Sequence, residues 1–223
     1  TPCRNALAVE ETDIYYEERG RGEALVLIPG FASGIWSWEW QVESLARDFR
    51  VITFDPRGIA KSPVHAGREV SIPGIADDIV GVLGRLDIDI AHLLGISFGG
   101  FVAQEFALRY PENLHKLVLA STSFGGPKHI SPSMEVLASF AATDGLNSPE
   151  RIRKYLTMAF SVDFVREHAD VVDRFCTLRE RNLVTGDVYL QQLSSAMKFS
   201  AEERVSRIRA ETLVVTGDRD QVV

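Results

Sequence analysis

At 223 residues the chain is long enough for one sizeable core, and its 45% hydrophobic, 25% charged composition is ordinary for a globular protein. A formal net charge of −7 argues against the basic stripe that grips nucleic-acid phosphates. No run approaches the roughly 18 apolar residues of a membrane helix, and two distant cysteines, Cys3 and Cys176, make no disulfide framework. The opening stretch TPCRNALAVEE lacks a basic segment followed by an apolar one. Together these give the expectation of a cytoplasmic protein with neither a nucleic-acid nor a membrane partner; self-association is left open.

In chain order, residues 7–18 (ALAVEE, DIYYEE) read as a hairpin around Thr12. ALVLIPG (24–30) is a continuous apolar run ending in Pro-Gly, as a buried parallel strand does. Trp38, Val42, Leu45 and Phe49 recur at helical spacing, so a helix is expected over 36–48. RVITFD (50–55) is a second buried strand. Residues 71–86 place Ile75, Ile79, Val82, Leu83 and Leu86 on one helical face, with Ser71 as N-cap. AHLLGI (91–96) is a strand, 98–110 a helix stopped by Pro111, and KLVLAS (116–121) and TLVVTG (212–217) are strands. Strands alternating with helices predict an α/β fold with a mostly parallel sheet covered on both faces. The alternation breaks over 126–205, where segments such as ERIRKYLTMAF and DVVDRFCTLRER are helical in pattern. The expected division is therefore a core over 1–125, a helical insertion over 126–205, and the rest of the core over 206–223.

The chemistry concentrates in GISFGG. Gly95, Ser97 and Gly99 form a Gly-x-Ser-x-Gly pattern directly after a buried strand and directly before a helix. A nucleophile elbow needs that context: a tight, strained turn exposes the serine at the carboxyl edge of the sheet, and small neighbours let backbones pass closely. The helix N-terminus beneath it offers free N–H groups to a developing anion.

With these residues in view, the chain resembles the α/β-hydrolase fold superfamily, in its branch of serine hydrolases with a helical cap. LVLIPGFASGIWSWEWQVESLARDFRVITFDPRGIAKS is similar to the family's stretch from the oxyanion loop through its Asp-x-Arg-Gly turn. LLGISFGGFVAQEFALRYPENLHKLVLAS resembles the elbow, its helix and the following strand. The layout is similar to that of 3-oxoadipate enol-lactonases and related small esterases. The resemblance implies Ser97 as nucleophile, with backbone N–H groups of Phe98 and Phe31 as the oxyanion hole. It implies no cofactor and no metal. Two positions depart from the family pattern. Pro29 stands where histidine is usual, and Ala60 in DPRGIAKS replaces the second glycine of the turn. If position 60 requires a positive φ, Ala60 is strained; the expectation is that the turn takes another shape.

The resemblance also implies an acid after a later strand and a histidine after the acid. LVLASTSFGG carries no carboxylate, so the acid falls in TLVVTGDRDQVV, where the family spacing from Gly217 selects Asp220 over Asp218. None of the five histidines suits the base. His92 and His115 lie at the amino ends of their strands, away from the elbow; His65 precedes the acid; His129 and His168 are in the insertion. The family's histidine is therefore expected in residues after Val223, on a strand and helices not included here, and these 223 residues alone are expected to lack a complete triad.

Met134, Phe140, Tyr155, Met158, Phe160, Phe164 and Phe175 supply the insertion with apolar bulk. Most are expected to be core, a few to face an acyl pocket. Arg151, Arg153, Lys154, Arg166, Arg174, Arg179 and Arg181 read as solvated; an arginine turned inward suits a substrate carboxylate. The function expected is hydrolysis of a small carboxylic ester or lactone through an acyl-enzyme. Other triad reactions (C–C hydrolysis, perhydrolysis, acyl transfer) and a non-catalytic ligand-binding protein on the same fold are the alternatives. No Gly-x-Gly-x-x-Gly or P-loop follows a strand, which argues against a nucleotide site.

Overall fold

The computed structural model describes residues 13–65, 67–220 and 222. Six strands form one sheet in the order β1-β3-β2-β4-β5-β6: β1 (Tyr16–Arg19), β2 (Glu23–Ile28), β3 (Phe49–Phe54), β4 (Ala91–Ile96), β5 (Leu114–Ala120) and β6 (Glu211–Val215). β1 runs antiparallel to β3; the remaining pairs are parallel. The first half of the hairpin expected over 7–18 lies outside the described residues, and β1 pairs with β3.

Helices cover both faces as the apolar runs require. α1 (Glu39–Leu45) lies on the side where Leu25, Leu27, Trp38 and Val51 cluster. α2 (Ile72–Arg85) and α3 (Phe98–Arg109) cover the other side, over a core of Val26, Ile28, Ile52, Phe54, Leu93 and Leu117. Ser71 caps α2 as expected, its hydroxyl accepting from the Gly74 N–H at 3.2 Å. The helix expected over 36–48 is shorter. Residues Ile35–Trp38 form a 3-10 turn before α1, and Phe49 belongs to β3 rather than to a helical face. β6 differs from the central strands. It hydrogen-bonds to β5, and all five of its residues are exposed, Val214 to 64%.

Between β5 and β6 the chain builds α4 (Met134–Ala141), α5 (Pro149–Thr157), α6 (Val162–Glu167), α7 (Ala169–Arg181) and α8 (Gly186–Lys198). Ser133, Ser148, Ser161 and Thr185 each cap the helix that follows. The two ends of this insertion are tied at its base. Gly125 bridges Ser200, and the Ala201 N–H donates to the Phe124 carbonyl at 2.7 Å. The insertion has its own small core of Ile152, Leu156, Val172 and Cys176. It also grips the body, where Phe175 stacks on Trp40 at 4.5 Å and Arg174 pairs with Glu39 at 2.9 Å.

Candidate active site

Ser97 sits between the end of β4 and the start of α3 with φ 52° and ψ −120°. A non-glycine residue in that region is strained, by on the order of 1–3 kcal/mol, and must be held there. Three bonds hold it. The Ser97 N–H donates to the Ala120 carbonyl at 2.9 Å, the Gly100 N–H to the Ser97 carbonyl at 2.8 Å, and the Thr122 hydroxyl to the same carbonyl at 2.9 Å. The glycines are needed for space. A Cβ on Gly95 would strike the Gly99 carbonyl, and one on Gly99 the carbonyl oxygens of Ile28 and Pro29. Gly100 is equally constrained, by the Thr122 side chain.

The loop after β2 lies alongside. A Cβ built on Gly30 would be 3.7 Å from the Ser97 Cβ. Phe98 opens α3, where the first N–H groups have no intrahelical partner. The Phe31 N–H has no acceptor among the described residues. The next residue, Ala32, has φ 52°, and its N–H donates to Gln192 Oε1 on α8 at 2.8 Å. The Phe31 ring packs edge-on against Phe98, Phe140 and Tyr189, the closest centroid at 4.7 Å. Loop, elbow and insertion thus share one cluster.

The turn at DPRGIAKS keeps the conformation that the second glycine serves, contrary to the expectation of another shape. Ala60 has φ 44°. The surroundings fix it: Asp55 accepts from the Ile35 N–H at 2.9 Å and the Lys61 N–H at 3.2 Å, while the Ser62 hydroxyl donates to the Asp55 carbonyl at 2.6 Å. Arg57, two residues on, forms a buried bidentate pair with Asp78, both contacts 2.7 Å. Burial pushes the Asp78 carboxyl upward, and the Arg57 guanidinium pulls it back.

An open cleft of about 550 Å³ lies over Ser97. Ile96, Ser97 and Ser121 form its floor, Gly217 to Asp220 and Val222 one wall, and the insertion the other. Phe140, Tyr155, Met158 and Phe160 line that second wall, so four of the seven bulky residues of the insertion face the cleft, more than expected. Met134 is instead 79% exposed, and Phe164 and Phe175 pack within the insertion and against the body. Burial raises the Tyr155 phenol, which stays neutral and able to donate. Asp218 and Asp220 both border the cleft; Asp220 Oδ1 accepts from the Val222 N–H at 2.9 Å.

None of the five histidines lines this cleft. His65 meets Asp13 at 3.0 Å, His92 meets Glu23 at 3.1 Å, His129 bonds the Gly126 carbonyl, and the His168 ring lies on Phe164. Of the insertion's basic residues, Arg153, Arg166 and Arg174 are exposed ion-pair partners. Two of those expected to be solvated are not: Arg151 is half-buried and donates to the Ser139 and Ala142 carbonyls, and Arg179 is more deeply buried. It is 7% exposed, donates to the Asn182 carbonyl at 2.7 Å, and shares a small void with Ala32, Tyr155 and Tyr189.

Ser121 borders the cleft, and Thr122 and Gln192 brace the elbow and the loop beside it; the sequence singles out none of the three. Ser121 and Thr122 follow β5 with no motif to mark them, and Gln192 lies on α8, far along the chain from Ser97.

Comparison with known proteins agrees with this fold. A profile described as the alpha/beta hydrolase fold matches residues 23–223, and the chain belongs to that family. It is 31% identical to a 2-hydroxy-6-oxononadienedioate/2-hydroxy-6-oxononatrienedioate hydrolase of Burkholderia vietnamiensis, over 96% of this chain and 76% of that protein. Among solved structures it is similar to the esterase EaEST from Exiguobacterium antarcticum, with a TM-score of 0.79 and 25% identity over 95% of this chain and 79% of that one. An enol-lactonase from Burkholderia xenovorans shares the fold at a TM-score of 0.74 and 21% identity, over 95% of this chain and 80% of that one. The relatives are hydrolases, and no helix among the described residues is long and apolar enough to cross a membrane.

Proposed function

We infer that the protein is a serine hydrolase of small carboxylic esters or lactones, with residues 126–205 as a cap over the reacting carbonyl. The observation that carries this reading is the strained Ser97 at the floor of a cleft shared with Asp220. Ser97 Oγ gives its proton to a general base as it attacks the carbonyl carbon, the oxyanion is received by the Phe31 and Phe98 N–H groups, and the base returns the proton to the departing alkoxide, leaving an acyl-enzyme that water hydrolyses. Asp220 orients the base, with Asp218 as turn residue beside it. That none of the five histidines lines the cleft supports a base other than these. Phe140, Met158 and Phe160 receive the apolar part of the acyl group. Support for ester chemistry comes from the similarity to EaEST.

One observation favours a second reading, a ligand-binding protein without catalysis: the cleft has no imidazole on its walls. Hydrolysis of p-nitrophenyl butyrate by the protein expressed from its natural gene separates the two. The enzyme reading expects turnover that falls about 10³-fold or more in Ser97→Ala. Equal rates in both proteins overturn it.

A further inference from the structure

At the opposite edge of the sheet from Ser97, three metal-ligating side chains come together from three adjacent strands. Glu23 opens β2, His92 is the second residue of β4, and His115 the second residue of β5. Their ligand atoms all lie within 4.8 Å of one another. His92 Nε2 is 3.1 Å from Glu23 Oε2, and the two imidazole rings are 4.7 Å apart.

Register explains why they share a face. Leu25 pairs with His92, and Glu23, two residues before Leu25, points to the same side of β2. β5 arrives there by a bulge. Leu114 pairs with Ala91 and Leu117 with Leu93, so β5 uses one residue more than β4 over that step. Leu114 and Leu117 both reach the same core cluster as Ala91 and Leu93. His115 and Lys116 therefore both turn to the other face, which is how a bulge re-aims a side chain. The Lys116 ammonium is drawn across to Glu211 on β6 at 2.9 Å.

We propose that Glu23, His92 and His115 form a binding site for a divalent first-row transition ion, which ties the amino ends of β2, β4 and β5. Two imidazoles and one carboxylate suit zinc, cobalt or nickel, and water completes the coordination. Bonds of 2.0–2.2 Å place tetrahedral ligands about 3.3 Å apart. The Glu23–His92 pair has that spacing already. His115 is exposed and closes the remainder by side-chain rotation. An ordinary His–Glu pair accounts for two of these residues but not for the third: among the described residues His115 has no carboxylate within ion-pair distance. No metal is expected from the sequence because 69 residues separate Glu23 from His92, and the bulge that brings in His115 leaves no motif. The site lies about 16 Å along β4 from Ser97, so its role is structural.

The test is calorimetric titration of Zn²⁺, and separately Ni²⁺, into the untagged protein after EDTA treatment, with a thermal melt of each sample. The expected result is saturable binding of one equivalent and a higher melting temperature. His115→Ala is an exposed change that leaves the fold intact, and it weakens binding about tenfold or more. Glu23→Gln does the same, whereas His65→Ala has no effect. Absence of saturable binding, or affinity unchanged in His115→Ala, overturns the proposal.

Discussion

The Ala32 backbone N–H donates to Gln192 Oε1 at 2.8 Å, joining the loop beside Ser97 to α8 of the insertion across 160 residues of sequence. Both residues are almost wholly buried, Ala32 at 4% and Gln192 at 1% exposure. Ala32 also has a positive φ, so its N–H can neither relax to water nor find another acceptor without moving the loop. Gln192→Leu removes the acceptor and leaves that N–H unsatisfied. The expected loss is about 1–3 kcal/mol, read as a lower melting temperature. The same variant loosens the loop that presents the Phe31 N–H, so kcat for an ester falls more than KM changes. A variant with unaltered stability and kcat would show that the bond does not organise the loop.

Ala60 is the reverse case, a residue whose replacement relieves strain. Its φ of 44° is a conformation that an L side chain resists by roughly 1–2 kcal/mol, of which glycine gives back part through its own chain entropy. Ala60→Gly is expected to stabilise the protein by about 0.5–1 kcal/mol in urea denaturation, with no change in slope. Destabilisation would mean that the turn gains more from the alanine methyl than the backbone loses.

Asp55 provides a pH signature. Burial, the largest influence, pushes its carboxyl above the usual value; the Ile35 and Lys61 N–H groups pull against that. A carboxyl with a raised folded-state pKa binds protons more readily folded than unfolded, so its contribution to stability grows as pH falls through the window just above the ordinary carboxylate range. The stability difference between wild type and Asp55→Asn should therefore widen on going from pH 7 towards about pH 4.5. Urea denaturation of both proteins across that range measures it; a difference that narrows towards acid would contradict the assignment.

The elbow was legible in the sequence because its requirements are local. Gly95, Ser97, Gly99 and Gly100 are adjacent, and the apolar run before them and Pro111 after them frame a strand and a helix. Ser71 was legible for the same reason: an N-cap acts within three residues. What the sequence did not show depends on partners far along the chain. Gln192 is an unremarkable polar residue until α8 brings it to Ala32. Ala60 gives no sign that Asp55, Lys61 and Ser62 hold its turn in the left-handed region. Arg179 looks like its exposed neighbours Glu180 and Arg181, and only the packing of α7 decides that it turns inward. The helix expected from residue 36 starts as a 3-10 turn, at which Asp55, in the turn after β3, accepts from the Ile35 N–H; that partner lies 20 residues away and leaves no local sign.

Covalent trapping decides whether Ser97 Oγ is the attacking nucleophile. The protein expressed from its natural gene is incubated with an aryl phosphonofluoridate, and its intact mass and tryptic peptides are measured. The expected result is the addition of one phosphonyl group, on the peptide that contains Ser97, together with loss of p-nitrophenyl butyrate hydrolysis. Hydrolysis that persists with no adduct on Ser97, or an adduct that forms equally in Ser97→Ala, would contradict it.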